Sequence, residues 1–337
     1  MGAGASRGSI RHVLLNGKRL KAPLNRDFFE VAETYVRARG PRSADRKRMD
    51  RLLRVFKDDL PTKNPTMEEA FSLLYIAKDF PGIYRGRRGR KPRAGDLQEI
   101  EDFLRLAFGI FAELDQKSGE ETAYDGLAAR LGAQDTLISL NYDTLLDSAL
   151  ARRGWDPKTG YCLSGGGRKV QWKPTPNAAD SKMTRVSLLK LHGSVNWYVR
   201  GSFSDLARVF ESKATRVTVP RRNGIAGHIR QIVPPIYGKF FRHTQWQKLW
   251  QKAHTALCKA EFLVVIGCSL IDTDFHLRAL LSRVGKCRKV KADPFRRIFL
   301  VDKVTVRRKW IKALKGRFSA CSGAKNFQVF LTKELKI

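Results

Sequence analysis

The sequence has few acidic residues, few cysteines and no apolar run of membrane-spanning length. Its five cysteines include no Cys-x-x-Cys pair, which argues against a zinc ribbon, and their odd number without an export signal argues against a disulfide framework. The longest apolar stretch, residues 262–271, is much shorter than the ~20 residues of a membrane helix. The first residues also lack the basic-then-apolar layout of a signal peptide. We therefore expect a cytoplasmic protein with no membrane partner.

The shortage of acidic residues leaves a large positive charge. Asp and Glu number 32 against 65 Lys and Arg, so the formal net charge is +33. Phosphate is the natural counter-charge, whether on a dinucleotide, DNA, RNA or an acidic partner. Charge alone does not choose among these, and a solvated basic surface explains it too. Nucleic acid is therefore one candidate partner.

The hydrophobic content, 42% of 337 residues, is sufficient for a substantial core. Residues 40–130 carry apolar residues at helical spacing and contain a basic loop at 85–93. From residue 136 short apolar runs alternate with helical segments, a pattern typical of a doubly wound, mostly parallel sheet. We predict an α/β, Rossmann-like domain from residues 1–39 and 131–337, with 40–130 as a helical insertion. The predicted strands are 136–140, 187–191, 231–235, 262–267, 297–302 and 327–331.

Small or hydrogen-bonding residues directly follow four of these predicted strands. Ligands of a doubly wound sheet bind at the carboxyl ends of its strands. Ordinary turn chemistry explains one such strand end, but four together favour a site. A histidine at a strand end suits a general base because its pKa lies near neutrality, although a structural turn histidine is the alternative. The residues concerned are Asn141 and Asp143, His192, Gly267 and Ser269, and Asp302.

The segment GAGAS, residues 2–6, can form a tight turn whose backbone N–H groups approach a pyrophosphate. Arg7 stands where the dinucleotide fingerprint has its third glycine, and a frayed terminus is the alternative. In the doubly wound order a central strand precedes such a turn, whereas here the turn follows Met1 directly. We therefore expect that the natural protein has this strand upstream of Met1, or that another segment takes its place.

Four motifs, in their order and approximate spacing, resemble the sirtuin-like domains of prokaryotic antiphage defence proteins. They are GAGAS, LNYDTLLD (140–147), LHGSVNW (191–197) and IGCSLIDTDF (266–275). The resemblance extends to residues 24–29 and 233–267, and residues 40–130 carry little of it. It implies a Rossmann-like domain that takes NAD+ as its substrate and cleaves the nicotinamide–ribose bond.

The resemblance also implies a role for each motif. Asn141 would hold the ribose and the attacking water, and His192 would be the catalytic imidazole. Asp143 would bind the nicotinamide carboxamide. The other implied NAD+-binding residues are Gly2, Ala3, Gly4 and Ser6 at the diphosphate, Gly267 and Ser269 at the adenosine half, and Asp302 at the adenine-ribose hydroxyls.

The chain departs from classical sirtuin deacetylases, since it lacks their four-cysteine zinc module and has Leu140 where they have glutamine. We therefore expect no zinc and no other metal, and we predict that Asp272 and Asp274 cap the following helix. The predicted function is an NAD+ glycohydrolase that depletes NAD+ in defence, controlled through homo-oligomerisation or a regulatory protein. An ADP-ribosyltransferase and a non-enzymatic nucleic-acid-binding module on the same fold remain as alternatives.

Overall fold

The computed structural model describes most of the chain. The described residues are 1–10, 12–59, 65–79, 98–117, 122–163, 185–200, 208–209, 228–232, 244–272, 274–290 and 293–334. The predicted basic loop at 85–93 and the segment 233–243 lie outside them.

Two groups of parallel strands form the centre of an α/β fold. β3 (Thr136–Ser139) pairs with β4 (Ser187–Lys190), and β8 (Phe262–Ile266) pairs with β9 (Phe295–Val301), all in parallel. β10 (Phe318–Ala324) adds to the other edge of β9, also in parallel. Short apolar runs suit strands that are covered on both faces, which is the usual situation in a parallel sheet.

The first two residues of the chain connect these two groups of strands. The Met1 ammonium donates to the Ile138 carbonyl (2.6 Å), and the Leu140 amide donates to the Met1 carbonyl (3.0 Å). On the other side, the Gly2 amide donates to the Ile266 carbonyl (3.1 Å). The carboxyl ends of β3, β4, β8 and β9 therefore share one edge. The upstream strand expected from the sequence stays a prediction.

Antiparallel strands lie outside this parallel core. β5 (Gly193–Arg200) pairs with β6 (Arg208–Val209) on one side and with β7 (His228–Ile232) on the other. β1 (Val13–Leu15) and β2 (Lys18–Leu20) form a hairpin. Residues 231–232, the described part of the strand predicted at 231–235, belong to β7 and therefore to the antiparallel set.

Helices surround both sets of strands. None in the described part of the chain is long and apolar enough to cross a membrane. In chain order they are α1 (Ala3–Ser9), α2 (Phe28–Arg39), α3 (Ala44–Asp59), α4 (Met67–Asp79), α5 (Gln98–Lys117), α6 (Ala123–Ala128), α7 (Leu145–Arg152), α8 (Pro157–Gly160), α9 (Thr244–Lys259), α10 (Phe275–Val290), α11 (Val304–Leu314) and α12 (Phe327–Val329), with short turns at Asn25–Asp27 and Phe330–Glu334.

Residues 327–331 form a helical turn, so the strand predicted there was wrong. The Asn326 side chain accepts a hydrogen bond from the Val329 amide (2.8 Å) and caps α12. Phe327, Phe330 and Leu331 are all buried, at a spacing that fits a helix as well as a short strand. The last strand is instead β10, whose small residues give a weak strand signal.

The helices of residues 40–117 share an aromatic cluster with α2. The Phe103 ring of α5 lies 5.0 Å from Phe28 and 5.7 Å from Phe29, both on α2. Phe71 of α4 lies 4.2 Å from Phe103, and Phe56 of α3 lies 5.3 Å from Phe29. The core is therefore continuous between the predicted insertion and residues 1–39. The division into these two units stays a prediction.

We expect Phe103→Ala to destabilise the protein by about 3–5 kcal/mol, since it leaves a cavity among three phenylalanine rings. Ile76→Ala, at a position that is 41% exposed in α4, is the control and should change stability by less than about 1 kcal/mol. Urea unfolding followed by circular dichroism measures both. Equal losses for the two variants would show that the aromatic cluster contributes little.

Candidate functional site

The glycines of the GAGAS segment bring its backbone into contact with the turn after β8. The Gly4 amide donates to the Gly267 carbonyl (2.9 Å). A Cβ atom on Gly2 or Gly4 would lie 2.6 Å or 2.9 Å from the Gly267 backbone, which is closer than any normal contact. Gly267 itself has a φ of +57°, and a Cβ there would lie 2.0 Å from the Ala5 nitrogen. Only glycine fits at the three positions.

This contact changes what the glycine amides can bind. The amides of Gly2 and Gly4 donate to the carbonyls of Ile266 and Gly267, so they do not face outward as a diphosphate cradle requires. Ala3, between them, is exposed at the start of α1. The glycines of this segment permit the close approach of two backbones, a contact that the sequence pattern does not reveal.

Ser6 and the loop after β3 form a buried hydrogen-bond network. The Asn141 Nδ2 donates to the Gly2 carbonyl (3.0 Å) and to the Ser6 Oγ (2.9 Å). The Ser6 hydroxyl donates to the Asp143 Oδ2 (2.8 Å) and lies 3.0 Å from the Tyr124 hydroxyl of α6. Four predicted site residues, Gly2, Ser6, Asn141 and Asp143, thus belong to one connected group.

Asp143 is a buried carboxyl group with several opposing influences on its ionisation. Burial raises the pKa of Asp143, because the charged form loses its hydration. The Lys190 ammonium and the hydrogen bond from Ser6 lower the pKa, and the nearby Asp147 carboxylate raises it. Burial prevails, so the pKa of Asp143 lies above its ordinary value.

His192 lies in the turn between β4 and β5 and contacts a buried carboxylate. Its Nε2 atom is 3.3 Å from Oδ2 of Asp274, and the two residues are 6% and 3% exposed. Oδ1 of Asp274 accepts a hydrogen bond from the Leu277 amide (3.3 Å), so Asp274 caps α10 as the sequence predicted. It also orients the imidazole, a role that the sequence analysis did not assign. A carboxylate on one ring nitrogen fixes which nitrogen stays available to a ligand.

Tyr142 connects the loop after β3 to the His192 turn. Its ring centroid lies 6.4 Å from the His192 ring, and its carbonyl accepts a hydrogen bond from the Val195 amide (2.9 Å). Asn141 and Asp143 flank Tyr142 in the chain. The structure therefore brings the Asn141–Asp143 loop and His192 together on one edge of the sheet.

Gly267 and Asp302 are neighbours at the ends of β8 and β9. The Gly267 amide donates to the Val301 carbonyl (3.0 Å), and Asp302 follows Val301. The Asp302 carboxylate accepts a hydrogen bond from the Lys303 amide (2.7 Å), while partial burial raises the pKa of Asp302. Ser269 is exposed on the turn after β8, and no hydrogen bond from Ser269 to the Ser6–Asn141–Asp143 network is present.

Three residues near these groups were missed by the sequence analysis. Asp274 was considered only as a helix cap. Lys190 is a charged residue within the apolar run SLLKL, and that pattern was a usable signal for a buried ion pair. Tyr124 lies in a short helix, and nothing in the sequence connects it to Ser6. Among the described residues, no group of three or more His, Cys, Asp or Glu side chains is arranged to hold a metal ion.

Comparison with known proteins identifies a related family. A family model described as a SIR2-like domain matches residues 135–314, just over half of the chain. No curated protein matches the chain. Among solved structures, the chain is similar to a Sir2 homologue, a triple mutant in complex with 2′-O-acetyl ADP ribose, at 16% identity and a TM-score of 0.38 over 71% of this chain and 79% of that one.

We expect Gly267→Ala to lower the stability by more than about 3 kcal/mol, because a backbone clash adds to the ~1–2 kcal/mol cost of a left-handed alanine. Gly316→Ala is the matched control. Gly316 has a φ of +69° but nothing within 4 Å of an added Cβ, so it should show the conformational cost alone. Thermal and urea unfolding of both variants gives the comparison. Similar losses would argue against the close contact at Gly267.

We expect Asp143→Asn to be more stable than the natural protein at pH 7. A carboxyl pKa raised above the unfolded value of about 3.9 means that stability is lost as the pH rises, and asparagine abolishes this loss. The control is Asp125→Asn. Burial raises the pKa of Asp125, but hydrogen bonds from Arg152 and Thr122 outweigh it and leave the pKa lowered.

Asp125→Asn should therefore lose stability at pH 7. Melting temperatures between pH 7 and pH 4 should show the Asp143→Asn difference shrinking as the pH falls, because the raised pKa of Asp143 lies in or near this range. The Asp125→Asn difference should largely persist, because the lowered pKa keeps Asp125 ionised in the folded state down to pH 4. A melting temperature of Asp143→Asn that is lower at pH 7 and independent of pH would contradict the buried-carboxylate description.

Proposed function

Because this chain belongs to the SIR2-like domain family, whose members use NAD+ as a substrate, we propose that it hydrolyses the nicotinamide–ribose bond of NAD+. The products are nicotinamide and ADP-ribose. The observation that carries the proposal is the contact between the Asn141–Asp143 loop and the His192–Asp274 pair at the carboxyl edge of the parallel strands. Ligands of open α/β sheets bind at this edge. The fold in this proposal is Rossmann-like.

The reaction requires little acid catalysis. The pyridinium ring of NAD+ is cationic, so the electron pair of the C1′–N bond leaves with it as neutral nicotinamide. The oxygen of water bonds to C1′, and the proton of that water must be removed. The enzyme contributes by fixing the substrate, stabilising the developing positive charge on the ribose and delivering the water.

His192 is the base in this scheme. The Asp274 carboxylate, 3.3 Å from Nε2, orients the imidazole and stabilises its protonated form, and the imidazole accepts the proton of the attacking water. A general base of this kind contributes on the order of 10²–10⁴-fold. Asn141 holds the ribose and the water through its side-chain amide, and Asp143 accepts a hydrogen bond from the nicotinamide carboxamide.

The rest of NAD+ lies across the turns next to this loop. The diphosphate contacts the segment from Gly2 to Ser6 at the exposed residue Ala3, since the amides of Gly2 and Gly4 donate to backbone carbonyls. Gly267 and Ser269 contact the adenosine half. Asp302, beside Gly267, accepts hydrogen bonds from the adenine-ribose hydroxyls.

We further propose that the chain is an NAD+-depleting effector of antiphage defence, supported by the resemblance of its four motifs to such domains. An activity of this kind needs control, through a homo-oligomer or a regulatory protein. The net charge of +33 supports nucleic acid as a trigger. Nicotinamide release with and without DNA or RNA, at several salt concentrations, tests the trigger. Free ADP-ribose among the products, rather than a modified macromolecule, distinguishes hydrolysis from ADP-ribosyl transfer.

We expect His192→Ala to slow nicotinamide release by about 10²–10⁴-fold, since it removes the proton acceptor. Asn141→Ala should abolish the release, because it removes the group that holds the ribose and water. Chromatographic assay of nicotinamide, with circular dichroism to verify folding, measures both. Asp274→Asn should also slow the reaction, since a neutral amide stabilises a protonated imidazole less well.

The control is His12→Ala, at an exposed histidine in the hairpin region. It removes an imidazole without touching the proposed site and should leave the rate unchanged. Unchanged release by folded His192→Ala and Asn141→Ala proteins would refute the assignment of these two residues. A natural protein that releases no nicotinamide under any trigger would refute the hydrolase proposal itself.

A further inference from the structure

A lysine is completely buried at the end of β4, two residues before His192. Lys190 is 0% exposed, and its Nζ atom donates to both carboxylate oxygens of Asp147, at 3.0 Å and 3.2 Å. The same Nζ donates to the Asp143 carbonyl at 2.5 Å. An ammonium group has three protons, and three acceptors surround this one. Its burial is therefore fully compensated by hydrogen bonds.

The partner carboxylate is anchored from its other side. Asp147 on α7 is 1% exposed, and its Oδ1 accepts a hydrogen bond from the Tyr161 hydroxyl. The Asn196 side chain of β5 donates in turn to the Tyr161 oxygen (3.0 Å). The chain Asn196–Tyr161–Asp147–Lys190 thus joins β4, β5 and α7 beneath the site. Such a network has one low-energy arrangement and resists displacement.

The third hydrogen bond of Lys190 connects the network to the loop of the proposed site. The Asp147 carboxylate alone would satisfy a buried ammonium only in part, and the third acceptor is the main chain of the loop that carries Asn141 and Asp143. The strand that carries Lys190 leads directly to His192. One buried side chain therefore connects the two halves of the proposed catalytic centre.

We propose that Lys190, anchored by Asp147, is a positioning residue that sets the spacing between the Asn141–Asp143 loop and the His192 turn. The inference rests on the proposed NAD+ hydrolysis. Lys190 does not touch the substrate in this scheme and acts through the loop and the strand that it joins.

Lys190 also influences the ionisation of Asp143. Among the residues that the structure describes, four titratable groups face this carboxyl group: Lys190 from β4, Asp147 from α7, Tyr124 from α6 and Asp115 from α5. Only Lys190 is cationic. Its removal raises the pKa of Asp143 further, because the burial and the like charges then act without opposition.

The test variant lacks both Lys190 and Asp147, because a single unpaired charge would destabilise the core. Lys190→Met alone leaves the Asp147 carboxylate buried without its partner and lowers the melting temperature strongly. Lys190→Met combined with Asp147→Leu removes both charges at similar volume, an exchange that buried pairs often tolerate without loss of stability. Circular dichroism and thermal unfolding verify that the double variant is folded.

In this double variant we expect kcat for nicotinamide release to fall by about 10²-fold with KM nearly unchanged, as for a small misplacement of reacting groups. The acid limb of the pH–rate profile should move to higher pH, because the Lys190 effect on Asp143 exceeds the opposing Asp147 effect. The control is Arg51→Met with Asp102→Leu, which removes an ion pair with a carboxylate that is 1% exposed, between α3 and α5. That variant should keep the natural kcat and pH profile.

A measurement that does not depend on catalysis tests the role of Lys190 separately from the proposed NAD+ hydrolysis. Titration of the Asp143 carboxyl carbon by ¹³C NMR should show a higher midpoint in the Lys190→Met, Asp147→Leu variant. A folded double variant with the natural kcat, pH profile and Asp143 titration would overturn the positioning role. If the natural protein releases no nicotinamide but the Asp143 titration moves as expected, the proposed function fails while the contact between Lys190 and the loop is supported.

Discussion

The arrangement of the site depends on one backbone contact, between the start of the chain and the turn after β8. Gly2 and Gly4 approach Gly267 so closely that no side chain fits at any of the three positions. This contact holds α1 at the carboxyl edge of the strands, and Ser6 on α1 then reaches Asn141 and Asp143. Met1 and Gly2 also supply the hydrogen bonds between β3 and β8, so the same few residues hold the two groups of strands together. The first residues of the chain thus both join the two groups of strands and position the side chains of the proposed site.

Much of the α/β core could be predicted from the sequence because short apolar runs with helices between them have few other interpretations. The predicted strands at 136–140 and 262–267 correspond to β3 and β8. The polar residues at the strand ends were also predictable, since parallel strands of one sheet end at the same edge. The positions of Asn141 and His192 after predicted parallel strands therefore place both residues at the same edge of the sheet.

Other features depend on tertiary contacts that a sequence pattern does not carry. The run FQVFL fits a strand and a helical turn equally well, and the cap from Asn326 decides between them. The reason for glycine at positions 2, 4 and 267 is a contact across more than 260 residues, and composition does not reveal it. Asp274 looked like a helix cap and is one, but its second oxygen reaches His192 only because α10 begins beside the β4 end.

The central claim is that NAD+ binds where these turns meet, and a crystal structure with a non-hydrolysable NAD+ analogue tests it most directly. We expect electron density for the nicotinamide ribose between the Asn141 amide and the His192 imidazole, with the diphosphate along residues 2–6 and the adenine ribose at Asp302. Density for the analogue at a different surface, without contact to Asn141 or His192, would contradict the proposed NAD+ site.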